Sequence, residues 1–113
     1  MSNIQPYKLY VNTIGEDTYF IGVLSDVQTL EPLYPNRARF LMLDIWWNTP
    51  AEKVIGASLE EDWINEKVFL ANYHIATPEE LTFFKDVVVG KMLLSKSVEQ
   101  SIKERYINEF WEF

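Results

Sequence analysis

Ala38-Arg39-Phe40-Leu41-Met42-Leu43-Asp44-Ile45-Trp46-Trp47 is the longest apolar run in the chain and the stretch whose reading decides the fold. Side chains alternate across a strand, so an extended run puts Arg39, Leu41, Leu43, Ile45 and Trp47 on one face and Phe40, Met42, Asp44 and Trp46 on the other. Both faces carry large apolar groups, which predicts a strand inside a sheet with material packed over each side. Periodicity alone does not separate strand from helix over so short a run, but Phe, Ile and two Trp favour the strand.

Asp44 is the exception in this run. A carboxylate between Leu43 and Ile45 needs a partner or must take up a proton, because burying it alone is costly. Two readings follow: Arg37, Arg39 or a helix N-terminus satisfies it, or it lies in a pocket floored by Trp46.

Upstream, Tyr7–Ile14 and Thr18–Ser25 read as two strands joined through a three-residue loop, Gly15-Glu16-Asp17. Residues 1–5 are expected to be loose. Asp26–Asn36 holds Pro32 and Pro35 and reads as a loop, with Tyr34 as a contact residue or a side chain tucked onto the core.

Downstream the pattern changes. Thr49 with Glu52, Ser58 with Glu61, Thr77 with Glu80 and Ser97 with Gln100 all have capping-box spacing, and Pro50 and Pro78 stand where a first helical residue would be. Helices are expected to begin near 50, 59, 78 and 98, the first two short. Residues 67–75 read as a further strand. In the third helix Leu81, Phe84, Val88 and Met92 form a stripe, weakened by the β-branched run Val87-Val88-Val89. In the fourth, Val98, Ile102, Tyr106 and Phe110 align. The expected fold is therefore one α+β domain over residues 1–113. Its antiparallel-leaning sheet has about four strands (the N-terminal hairpin, 38–47 and 67–75), with C-terminal helices on one face.

The chain of 113 residues is long enough to bury a core without cross-links, and it has no cysteine, which removes disulfides and thiolate chemistry. Met-Ser-Asn-Ile-Gln lacks the regions of a secretion signal, and no apolar run reaches membrane-spanning length, so a cytoplasmic location off the membrane is expected. A net charge of −7 argues against direct nucleic-acid binding. Much of the excess acid lies in Glu60, Glu61, Asp62, Glu66, Glu79 and Glu80. Several of these would sit in first helical turns, where the macrodipole favours anions. Otherwise they form an acidic surface that meets a basic partner or imitates a nucleic acid.

No motif carries chemistry by itself. His74 is the only histidine, the four glycines are too scattered for a phosphate loop, and no metal-ligand or calcium-loop spacing appears. No catalytic, cofactor or metal residue is assigned, and the chain is read as a non-enzyme. The aromatic content of 15% supplies interface anchors as well as core. The functional expectation is an acidic protein that binds another macromolecule. Its most concrete form is an inhibitor or immunity-type protein that covers a basic surface, through Glu60, Glu61, Asp62, Trp63, Glu66, Trp46, Tyr34, Phe110, Trp111 and Phe113. The alternatives are a small-molecule site using Trp46 or Tyr34 as a wall with Arg37 or Arg39 as an anion clamp, and a self-assembling or accessory subunit whose C-terminal aromatics dock on a neighbour.

Overall fold

The computed structural model describes residues 2–109 and 112–113. It is an α+β fold in the order β1 (Leu9–Ile14), β2 (Asp17–Val23), β3 (Gln28–Leu30), β4 (Tyr34–Asn48), β5 (Lys53–Asn65), α1 (Glu66–Asn72), β6 (His74–Ile75), α2 (Pro78–Phe83), a π-helical turn (Phe84–Val88), α3 (Val89–Leu94) and α4 (Gln100–Glu109). The strands form one six-stranded sheet in the order β3-β4-β2-β1-β6, with β5 on the other edge of β4, and every recorded pairing is antiparallel.

β4 is the centre, as the alternation of 38–47 predicts. Its Leu43, Ile45 and Trp47 join Leu9, Val11 and Phe20 in a core closed by Phe84, Val88, Met92, Val98 and Ile102 of the C-terminal helical segment. Its Ala38, Phe40 and Met42 join Tyr10, Ile21 and Val23 in a second core on the opposite face, closed by Phe69 of α1 and by Ile4. Two apolar faces thus take two sets of covering elements. Ile4 is only 2% exposed, Asn3 N–H donates to Glu66 Oε1 and Gln5 N–H to the Tyr10 hydroxyl, so residues 3–5 are tied down where a loose end was expected.

Four local expectations are corrected. The β1–β2 turn is two residues long, Ile14 pairing with Asp17, and Gly15 supplies φ +60° at the first central position. The loop expected over 26–36 is mostly β3 and the start of β4. Pro35 is tolerated there because β5 pairs with β4 only from Arg37 onward, so no ladder donor is needed at Pro35 on that side.

The helices expected near 50 and 59 are replaced by β5. Thirteen residues of β5 run beside β4, shifted once between Trp46 and Trp47, and satisfy backbone groups that a buried central strand could not leave unpaired. Two hydroxyl–Glu spacings do not outweigh that requirement. Finally, the strand expected over 67–75 is α1 followed by the two-residue β6. Asn65 Oδ1 accepts from Val68 N–H at 3.0 Å and caps α1, while Phe69 packs on Tyr10, Phe40 and Tyr73.

The helix at 78 begins as its spacing predicts. Thr77 Oγ1 accepts from Glu80 N–H at 3.2 Å and Glu80 Oε1 from Thr77 N–H at 2.9 Å, with Pro78 at the first position. The helical path then widens into the π turn across Phe84–Val88, where part of the β-branched run lies. Thr77→Ala should destabilise the fold by about 1 kcal/mol, whereas Thr49→Ala, whose capping spacing coincides with a turn, should change stability by no more than about 0.5 kcal/mol. Parallel urea titrations of the two variants check this.

Among the described residues no helix is long and apolar enough to cross a membrane.

Candidate functional site

The second sheet face is covered at one end only. α1 and Ile4 seal Tyr10, Phe40 and Met42, but beyond Met42 the same face of β4 continues through Asp44 to Trp46, which is 39% exposed. The register brings Tyr19 of β2 opposite Trp46, and Ser58 of β5 opposite Asp44. Tyr19 and Trp46 stack with ring centres 6.1 Å apart and planes 18° from parallel. These residues, with Gly56 and Ala57, line a cavity of about 260 Å³.

Asp44 is half-buried in its wall. Its Oδ1 is shielded from solvent and has no hydrogen-bond partner among the described residues. Burial, and secondarily the negative charge of Glu60, push the carboxyl up to about 6. The Tyr73 hydroxyl is also raised, by burial first and then by the charges of Asp44 and Tyr19, against a hydrogen bond from Asn12 that lowers it. The pairing of Asp44 with Arg37 or Arg39 is not made: both arginines have odd numbers on β4 and stand on the opposite face. The pocket floored by Trp46 is the reading of Asp44 that the geometry matches.

The acidic run divides between the two faces. Glu60 and Asp62 pair with Met42 and Phe40 and so share the face of Asp44. Glu61 and Trp63 lie on the reverse face around Arg39, whose Nε is 3.4 Å from Glu61 Oε1 and whose guanidinium is 6.0 Å from the Trp63 ring centre. None of Glu60, Glu61 and Asp62 occupies a first helical turn. Glu66 does, at the start of α1, where it also receives Asn3 N–H.

The remaining candidates fall elsewhere. Tyr34 is exposed at the opposite end of β4 from Trp46. Phe113 docks on the chain's own core, against Phe84 and over Gly22, where an added Cβ would come within 2.6 Å of its ring. Phe110 and Trp111 lie outside the described residues. His74 is exposed on β6, with its Nε2 bonded to Glu80 Oε1 at 2.8 Å.

The residues that sequence reasoning missed are Tyr19, Ser58 and Tyr73. Tyr19 was legible only as one member of an alternating strand, and Ser58 was assigned to a helix cap.

The arrangement suits a cationic group better than an anion or a metal ion. The anion clamp expected beside Trp46 does not assemble, because Arg39 lies across the sheet. Among the described residues no three His, Cys, Asp or Glu side chains converge in a metal-holding group. An ammonium or guanidinium in the groove would lie beside the Asp44 carboxylate and the Tyr19 and Trp46 rings. No protein-family model, curated protein or solved structure matches this chain.

Proposed function

We propose that this chain is a non-enzymatic binding protein whose acidic, aromatic sheet face engages a basic surface of another protein. The observation that carries the reading is the placement of Asp44, Glu60 and Asp62 on one face beside the Tyr19–Trp46 pair. Charges on an edge strand also deter unwanted pairing, which is reason enough for Glu60 and Asp62 on their own. It does not account for Asp44, which sits on the central strand, where edge protection has no role and burial of the charge is unfavourable. A cation from outside would offset both the cost of that burial and the repulsion from Glu60.

The most concrete form is an inhibitor or immunity-type protein that occupies a basic active or nucleic-acid-binding surface. Small size and a net charge of −7 support it, since complementary charge accelerates encounter. The test uses two matched baits, wild type and a Glu60→Gln, Asp62→Asn double variant. Wild type should capture a partner of basic surface that elutes as salt rises. At about 0.2–1 kcal/mol per exposed charge, the double variant should bind it roughly two- to thirty-fold more weakly. Capture of an acidic partner, or retention indifferent to salt, would overturn the reading.

A further inference from the structure

Among the described residues β5 pairs with β4 alone, so its outward backbone groups have no strand beside them. Leu41 N–H donates to Ser25 Oγ and Leu41 C=O accepts from Leu24 N–H, so both groups of Leu41 turn toward the β2 side. Successive residues of a strand alternate, so Phe40, Met42 and Asp44 turn toward β5 and meet Asp62, Glu60 and Ser58. It follows that Ala57, Leu59, Glu61 and Trp63 direct their N–H and C=O outward. Trp63 N–H is taken by Asp62 Oδ1 at 2.7 Å, in keeping with an outward direction. The groups of Ala57, Leu59 and Glu61 have no backbone partner among the described residues.

This edge does not face open solvent along its whole length. α4 lies beside it, and Ala57, Ser58 and Leu59 form one wall of a slot of about 340 Å³ whose other wall is Glu99, Ser101, Ile102 and Arg105; Arg105 is bonded to Glu109, which offsets its charge. An unpaired edge strand flanked by a helix is the geometry in which an extended peptide adds to a sheet.

We propose that an extended segment of the partner, alternating basic and apolar residues, pairs antiparallel with β5 in the slot between Ala57–Leu59 and α4. The proposal rests on the reading of a basic partner and adds its mode of attachment. In such a pairing, the residues opposite Leu59 and Glu61 have their amides toward β5 and their side chains toward Leu59 and Ile102, which suits apolar groups. The residues between them project on the other face, beside Ser58, Glu60 and Asp62, which suits lysine or arginine. A second copy of the chain is the wrong occupant, because antiparallel self-pairing about Glu61 would set Glu61 against Glu61 and each Glu60 against the Asp62 of the other copy.

The test uses a short peptide of alternating lysine and valine and two derivatives with the same charge, one N-methylated at every valine and the other at every lysine. At low salt the parent peptide should bind and slow hydrogen exchange at the Ala57, Leu59 and Glu61 amides. Methylation at valine deletes the donors facing β5 and should weaken binding by about ten-fold or more, while methylation at lysine should be tolerated. On the protein side, Glu61→Pro removes an outward donor and leaves the β4 ladder intact, so it should weaken binding well beyond Glu61→Gln. Equal binding of all three peptides would overturn strand addition while leaving a basic partner in place. Failure of every lysine peptide and of polylysine at low salt would remove both. A dimer with protected β5 amides in the absence of peptide would assign the edge to a second copy and overturn the proposal.

Discussion

Replacing Phe84 with alanine should cost about 3–5 kcal/mol, the range for emptying a fully buried phenylalanine site. Phe84 is 0% exposed, 5.2 Å from the Phe20 ring and 6.0 Å from that of Phe113. It opens the π turn, so its side chain joins the long helical segment to the face of β4 that carries Leu43 and Ile45. The cavity would form between a sheet and a helix that are each held by other contacts, which limits collapse and places the loss in the upper part of that range. Small domains have about 5–15 kcal/mol in total, so the variant should be marginal at 37 °C. Its neighbour Phe83 is 39% exposed and meets Trp47 edge-on at 5.4 Å. Phe83→Ala should therefore lose only about 1 kcal/mol. Urea midpoints measured side by side decide the matter: a loss below 1 kcal/mol for Phe84→Ala would mean that the helical segment does not pack as described.

The comparison of Phe84 with β5 shows which parts of this fold could be read in advance. The stripe Leu81, Phe84, Val88 and Met92, the box at Thr77 with Pro78, and the two-faced run 38–47 each state their structure through local chemistry, and each is found. β5 does not. Its outer half carries Glu60, Glu61 and Asp62 because it is an edge strand, and charges on an edge erase the apolar alternation by which strands are recognised. Its identity is decided by the ladder that β4 requires, which is a non-local condition. α1 was misread for a different reason. Val68-Phe69-Leu70 resembles a strand in composition, and the cap that turns it into a helix is Asn65, which has no Glu or Gln three residues on to complete a box. The candidate site shares this division: Asp44 and Trp46 stand out in the central run, but Tyr19 and Ser58 reach them only through the pairing of β2 and β5 with β4.

Asp44→Asn should stabilise the protein at pH 8. The carboxyl stands at about 6 in the fold against an ordinary 3.8, so the folded state holds the proton more tightly than the unfolded one. Its contribution to stability is full below about pH 4, is lost as pH rises toward 6, and stays lost above that. At about 1.36 kcal/mol per pH unit the rise corresponds to at most about 3 kcal/mol, and partial solvation of the side chain reduces this to about 1–2 kcal/mol. Asparagine keeps the shape without the charge. The variant should therefore gain that amount at pH 8 and match wild type at pH 4, as read from urea midpoints across the range. If Asp44 were held by an internal partner, the sign would reverse and the variant would be weaker at pH 8. Binding supplies the second half of the test, because a cation seated by Asp44 should hold less tightly to the more stable protein. A gain in stability joined to a loss of basic-partner affinity would show that the central strand keeps an unfavourable charge for use. A gain in stability with affinity unchanged would leave Asp44 outside the contact and confine the interaction to β5.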